Sequence, residues 1–160
     1  MTTIVGIDPG ISGAIAMYDP EGQRMLRVAD MPITAKSSGK GNQVAAHALA
    51  IILRDMAPTF AVVEQQGAMP GQGVTSMLSL GRTLGVIEGV LAALEVPYVL
   101  VQPQAWKKRA GLKGADKDKS RTLAMQMFPG HATDLARKLD HGRAEAMLIA
   151  RFGANDSHSL

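Results

Sequence analysis

The sequence predicts an α/β fold, a mixed β-sheet of about five strands flanked by helices. Three observations predict it. Strand-like runs follow one another at residues 2–8, 13–18 and 24–30. From residue 44 onward, helical and strand-like segments alternate. Two of the strand-like runs, residues 2–8 and 60–64, are apolar until they end on a carboxylate.

Each element has its own reason. Thr-Thr-Ile-Val-Gly-Ile-Asp, residues 2–8, has the apolar content of a buried strand. Pro9-Gly10 then makes a tight turn, because proline presets φ and glycine accepts positive φ. Residues 13–18 read as a second strand returning antiparallel, and 24–30 as a weaker third. Residues 35–42, Ala-Lys-Ser-Ser-Gly-Lys-Gly-Asn, are polar and glycine-rich, and a mobile loop is expected there. Residues 44–56 carry apolar side chains at helical spacing. Phe-Ala-Val-Val-Glu at 60–64 is a short strand, and residues 65–73 form a loop rich in glycine and glutamine. A long helix over 74–94 and a strand over 97–102 follow. From Pro103 to the end the pattern is helical, with breaks near 111–114 and 129–130. There is no internal repeat and no interdomain linker, so one domain is expected over 1–153 and a disordered tail over 154–160.

Composition narrows the function classes. The 160 residues suit one core, and 46% apolar against 19% charged residues is a globular balance. The longest apolar runs are broken by Arg54 and Asp55 and by Glu88, Glu95 and Pro97. Neither reaches about 18 uninterrupted apolar residues, so no membrane span is expected. The N-terminus has no basic region ahead of a long apolar stretch, which argues against a secretory signal. There is no cysteine, which excludes disulfides, thiolate zinc sites and cysteine nucleophiles, and fits a cytoplasmic location. A catalytic metal would be held by carboxylates, histidines or carbonyls, which favours a hard cation such as Mg²⁺.

The net charge of +3 is unevenly placed. Residues 1–80 carry 5 basic and 6 acidic side chains, and residues 81–160 carry 12 and 8. Lys107, Lys108, Arg109, Lys113, Lys117, Lys119 and Arg121 fall within residues 104–121, against only Asp116 and Asp118. Such a run is either a solvated surface or a phosphate-contacting face of a nucleic-acid-binding protein.

The carboxylates point to the chemistry. An ionised group closing an apolar strand is costly unless compensated, and a bound cation compensates Asp8 and Glu64 naturally. The plain alternative is a strand end facing water. A second pair, Asp140 and Glu145, lies in Leu-Asp-His-Gly-Arg-Ala-Glu-Ala-Met-Leu-Ile-Ala, residues 139–150. Five residues apart, the two sit about 140° apart around a helix. They converge only if Asp140 is the N-cap, off the helix proper, and Glu145 reaches back. Asp140 as a simple helix cap is the competing explanation. His141 with Glu145, at i and i+4, is an alternative metal-facing pair.

Ile7-Asp8-Pro9-Gly10, Val62-Val63-Glu64-Gln65 and the late Asp140…Glu145-Ala146 together resemble the acidic signature of the RuvC-type Holliday junction resolvases. Residues 79–89, Ser-Leu-Gly-Arg-Thr-Leu-Gly-Val-Ile-Glu-Gly, are similar to that family's long central helix. Pro103-Gln104-Ala105-Trp106-Lys107-Lys108 and Asp116-Lys117-Asp118-Lys119-Ser120 resemble its later strand-to-helix region. The Asp-His-Gly-Arg-Ala-Glu-Ala ending is similar to phage-encoded and chloroplast members. Two departures stand out. The bacterial enzymes space their last two acidic positions three apart and end on Asp, where this chain has five and Glu145. They also follow Glu-Gln with an aromatic residue, where this chain offers only Met69 as an apolar wedge into a junction.

The resemblance implies an RNase H-like fold and hydrolysis of phosphodiesters at four-way DNA junctions by paired nicks in opposed strands. It implies two Mg²⁺ per site, with Mn²⁺ a possible substitute, about 4 Å apart and stabilising an in-line displacement. Asp8 would bridge both ions, Glu64 would bind one, and Asp140 and Glu145 the other. Lys119 resembles a family lysine beside the scissile phosphate and would offset its charge, unless it is simply a solvated helix residue. Lys107, Lys108, Arg109, Lys113 and Lys117 would contact phosphates elsewhere. Paired cutting implies a homodimer with two-fold symmetry, for which the helix at 74–94 could supply the patch if it is not wholly core-facing. A sugar-kinase or actin-like ATPase shares the Gly-x-Asp-x-Gly opening, but that class needs two domains and a far longer chain. A nuclease for general branched DNA or RNA–DNA hybrids, and a non-catalytic junction binder, are the remaining alternatives. The binder gains nothing from four clustered carboxylates.

Overall fold

The computed structural model describes residues 1–154, apart from the side chain of Lys117. The tail expected from 154 lies, from residue 155, outside the described residues. The strands are β1 (Ile4–Asp8), β2 (Ala14–Asp19), β3 (Arg24–Asp30), β4 (Ile33–Ala35), β5 (Asn42–Val44), β6 (Phe60–Glu64) and β7 (Tyr98–Val101). The helices are α1 (Ala46–Met56), α2 (Val74–Ala93), α3 (Pro103–Arg109), α4 (Lys117–Met127) and α5 (His141–Phe152), with 3₁₀ segments at Pro129–Leu135 and Lys138–Asp140.

The main sheet has the order β3-β2-β1-β6-β7. β2 runs antiparallel to both β1 and β3, and β6 runs parallel to both β1 and β7. This is the mixed five-stranded sheet that the sequence predicts. Strand alternation sorts its side chains. Val5, Ile7, Ile15, Ala61 and Val63 pack against α1 and α2 on one face. Ala14, Ala16, Tyr18, Phe60 and Val62 pack against α3, α4 and α5 on the other.

The α5 face has been stripped of side chains where the helix crosses. β1 offers Gly6 there, β2 offers Ala14 and Ala16, and α5 answers with Ala146 and Ala150. A Cβ on Gly6 would stand 2.3 Å from both the Ala146 carbonyl oxygen and the Ala150 amide nitrogen. Likewise, a Cβ on Gly142 would stand 2.3 Å from the Ser12 carbonyl oxygen. Gly6 lets the middle of α5 lie directly on β1, and Gly142 lets the start of the helix lie on the β1–β2 turn. Gly6→Ala is therefore expected to cost about 3 kcal/mol or more, because the obstacle is helix backbone and cannot rotate away. Urea unfolding of the variant beside the wild type measures it.

Two expectations gain detail. Residues 35–42 are not simply a loop: they form the tip of a hairpin whose strands, β4 and β5, pair Ile33 with Val44 and Ala35 with Asn42. Three-residue strands fall below what periodicity can detect, and Gly39 and Gly41, both at positive φ, shape the tip. The second concerns α2. Among the described residues it is long and apolar enough, by length and composition, to cross a membrane, although Arg82 and Glu88 interrupt it. It buries Thr83, Ile87 and Leu91 against the sheet and leaves Val74 and Leu78 exposed.

Candidate active site

Asp8 ends β1 and Glu64 ends β6. These strands are parallel with Ile7 opposite Val63, so the two carboxylates come side by side at the C-terminal edge of the sheet. Alternation puts Asp8 on the face of Gly6 and Glu64 on the face of Val62, both toward α5. Glu145 occupies the second turn of α5, just ahead of Ala146, which rests on Gly6. The close helix–strand approach thus delivers Glu145 to the same edge. Asp8, Glu64 and Glu145 are only 7%, 6% and 8% exposed.

Two residues of α3 complete the arrangement. The fully buried Trp106 donates its indole N–H to Glu64 Oε2 at 2.6 Å. Lys107 Nζ lies 3.8 Å from Glu145 Oε1 and 5.3 Å from the Trp106 ring centre. Burial pushes the Glu64 carboxyl pKa up, and the negative charge of Glu145 adds to this. The Trp106 hydrogen bond, the Lys107 ammonium and a Gln66 hydrogen bond oppose the shift. Gln66 also donates to the Pro9 carbonyl at 3.0 Å, tying the loop after β6 to the turn after Asp8. The edge therefore holds more buried negative charge than its lysine balances.

Asp140 is placed differently. It is the N-cap residue of α5, yet its side chain makes no capping bond. One oxygen accepts from the Arg137 backbone N–H at 2.8 Å and the other from Arg137 Nη2 at 2.8 Å. The Arg137 hydrogen bonds hold its carboxyl pKa below the usual value despite burial. Its charged neighbours are Arg137 and Arg143, the latter paired with Asp30 on β3. Asp140 thus faces the β3 side of α5 and Glu145 the β6 side. His141, half-buried, lies with Nδ1 3.3 Å from the Lys138 carbonyl oxygen. Among the described residues, no three acidic or histidine side chains are drawn close enough to hold one ion as they stand.

The stability of the Arg137–Asp140 clasp depends on pH. A carboxyl whose folded pKa is depressed stabilises the fold above its unfolded pKa, near 3.8, and loses that contribution as pH falls through the folded value. Arg137→Ala is expected to lower the unfolding midpoint at pH 7 and to flatten its decline below pH 4. Thermal melts from pH 7 to pH 2.5 check both.

The basic residues separate into two groups. Lys107 is half-buried in the site, and Arg109 donates to the carbonyls of Phe152, Gly153 and Ala154, closing the end of α5. Lys108, Lys113 and Lys119 are exposed, and the Lys119 amide bonds the N-cap Asp116 of α4 at 3.0 Å. The Lys117 side chain lies outside the described residues. Met69 is exposed in the loop before α2. Sequence reasoning did not assign Trp106 or Gln66 to the site. The available signal was Trp106 as the sole tryptophan, beside a lysine pair.

The fold, a mixed five-stranded sheet flanked by helices, is like that of solved RuvC structures. The chain superposes on Thermus thermophilus RuvC in complex with a Holliday junction substrate with a TM-score of 0.71, covering 96% of this chain and 94% of that one at 17% identity. The fowlpox virus Holliday junction resolvase gives 0.60 over 95% of both chains at 14% identity. The yeast mitochondrial Holliday junction resolvase Ydc2 gives 0.57 over 93% of this chain and 76% of that one, also at 14% identity. In sequence, the chain is 38% identical over 98 residues to the chloroplastic Holliday junction resolvase MOC1 of Chlamydomonas reinhardtii. That match takes in 58% of this chain and spans about a tenth (11%) of the length of that protein. No family model matches the sequence.

Proposed function

We propose that residues 1–153 form a metal-dependent DNA endonuclease that resolves four-way junctions by paired phosphodiester hydrolysis in opposed strands. The observation that carries this reading is the convergence of buried Asp8, Glu64 and Glu145 on one sheet edge of an RNase H-like fold. The sequence likeness to a Holliday junction resolvase supports the choice of substrate.

The residues fit a hard divalent cation. The donors are all carboxylate oxygens, no thiolate competes, and burial with mutual repulsion leaves negative charge to be neutralised. Asp8, Glu64 and Glu145 would hold Mg²⁺, with two ions per site as the preferred reading and Mn²⁺ a workable substitute. Asp140 joins them only if Arg137 releases it, and His141 is its rival as a further donor. When bound, such ions activate water and stabilise the leaving 3′-oxygen. The Trp106 hydrogen bond aims Glu64 and favours its ionised form against burial. Lys107, relieved of balancing Glu145, faces the incoming phosphate, and Lys108, Lys113 and Lys119 contact phosphates farther out. Met69, exposed and flexible, is the apolar residue nearest to hand for parting bases at the crossover.

A homodimer would supply the second active site that paired cuts require. Its patch would be the outer face of α2, where Val74 and Leu78 are exposed and added Cβ atoms on Gly81 and Gly85 would meet nothing within 4 Å. Leu78→Asp is expected to yield monomers in sedimentation and to turn paired nicks into single ones. The chloroplast location belongs to the relative. For this chain we favour any compartment that holds branched DNA, the bacterial or phage-infected cytoplasm first.

The deciding experiment offers the protein a labelled mobile four-way junction and a matched linear duplex, in Mg²⁺ and in EDTA. Ligatable nicks in opposed strands of the junction alone, lost in EDTA, are expected. Equal cutting of the duplex would make it a general nuclease, and binding without cutting would overturn the catalytic reading.

A further inference from the structure

A cavity of about 360 Å³ opens beside the acidic edge, on the far side of the β1–β2 turn. Its walls are the turn at Gly10, the β4–β5 hairpin at Lys36, and the first half of α2. Thr75, Ser76, Ser79 and Thr83 present four hydroxyls to it from that helix. They recur at helical spacing on a different stripe from exposed Val74 and Leu78.

None of these hydroxyls has a hydrogen-bond partner among the described residues. For the three outer ones that is ordinary, since water serves them. Thr83 is only 8% exposed, and a threonine so buried normally finds a protein partner. Its side chain borders the cavity and its hydroxyl meets solvent there, so water serves it until a ligand oxygen takes that place. Lys36, half-buried against the opening, has no ion-pair partner among the described residues. The start of α2 adds its own positive end: Gly73 gives no side-chain cap, and the first turn holds no acidic residue. Gly10, at φ +125°, leaves open space where a Cβ would stand, so a ligand can approach the backbone. Ile11 and Leu80 add apolar wall against which a sugar can lie.

A lone cation, unmet hydroxyl donors and an uncapped helix start define a seat for an anionic tetrahedral group. We propose that this cavity holds a backbone phosphate of the DNA strand being cut, so that the strand is gripped on both sides of the sheet edge. The proposal rests on the nuclease reading for the identity of the strand. Gly10 follows Asp8 by two residues, a Cα path of at most about 8 Å. That short path, set against about 3.4 Å of axis per nucleotide on one strand, puts the seated phosphate within a few nucleotides of the scissile one. The seat acts by positioning. It holds no reacting atom, and it fixes the register in which the strand meets Asp8, Glu64 and Glu145.

The test measures junction binding without metal, so that cutting does not enter. Fluorescence anisotropy in EDTA, over a series of salt concentrations, compares wild type with Lys36→Met and Thr83→Val. Lys36→Met is expected to weaken binding about tenfold and to lower the slope of log affinity against log salt by about 0.9. Thr83→Val, of nearly equal shape and no charge, is expected to weaken binding severalfold with the slope unchanged. A second arm leaves the protein intact and scans a neutral methylphosphonate along the cut strand. One position close to the cut should weaken wild-type binding about tenfold and weaken Lys36→Met no further. Wild-type affinity and slope in both variants, or penalties that add at every methylphosphonate position, would overturn the seat. Failure of the nuclease reading looks different: the wild type would bind the junction and never cut it, while the two binding arms would still report on the cavity.

Discussion

Asp8→Asn is expected to reduce junction cutting in Mg²⁺ at least about a thousandfold while leaving junction binding within about threefold of wild type. Asparagine keeps the shape of the side chain at the end of β1, so the strand, its turn and the packing of α5 are undisturbed. It removes one full negative charge from the edge where Glu64 and Glu145 already repel each other. A cation held there loses its central ligand, and catalysis loses the several kcal/mol that a metal contributes to the transition state. Each 1.36 kcal/mol is a factor of ten in rate, so about 4 kcal/mol gives the stated thousandfold. Binding moves the other way or not at all, since in the proposed reading lysines would meet the phosphates and removing a carboxylate lessens repulsion. Single-turnover cleavage of a labelled junction beside a gel-shift titration in Ca²⁺ gives both numbers. Cutting within tenfold of wild type would remove Asp8 from the reaction and leave its burial as a structural matter.

The difference between what the sequence discloses and what it conceals follows the range of the interactions. The sheet is legible because unbroken apolar runs and the Pro9-Gly10 turn are local signals, and β3 and β6 keep the bounds expected of them. Asp8 and Glu64 are legible for the same reason: a carboxylate at the end of such a run contradicts its own neighbours. The position of Asp140 is not. Nothing in the Arg-Lys-Leu-Asp run of residues 137–140 tells a cap from a metal ligand, and the 3₁₀ turn that folds Arg137 onto Asp140 has too little periodicity to be read. The 42-residue reach from Trp106 to Glu64 is equally silent, because it depends on β6 and β7 lying side by side before α3 can start. The small residues at Gly6, Ala14, Ala146 and Ala150 each look unremarkable in their own segments. Only their meeting explains why α5 lies close enough to bring Glu145 to the edge.

Trp106→Phe tests whether that silent contact matters to the chemistry. Phenylalanine fills most of the same buried volume but lacks the N–H that bonds Glu64 Oε2. A hydrogen bond to an ionised carboxylate favours the charged form, and here it is the largest of the influences opposing the burial that pushes Glu64 upward. Its loss raises the Glu64 pKa further, so a larger fraction is protonated at a given pH and unable to bind a cation. The acid limb of the pH–rate profile should therefore move to higher pH, and half-maximal cutting should need more Mg²⁺. Partners that orient metal ligands are worth about 10- to 100-fold in affinity or activity, and a loss in that range is expected at pH 7. High Mg²⁺ and pH 8.5 together should recover most of it, since they restore the ionised, occupied state without the indole. A purely structural Trp106 predicts a different pattern: a lower melting temperature, with the Mg²⁺ requirement and the position of the acid limb unchanged. The pH–rate profile at several Mg²⁺ concentrations, read beside thermal melts, separates the two, because packing losses cannot be rescued by metal.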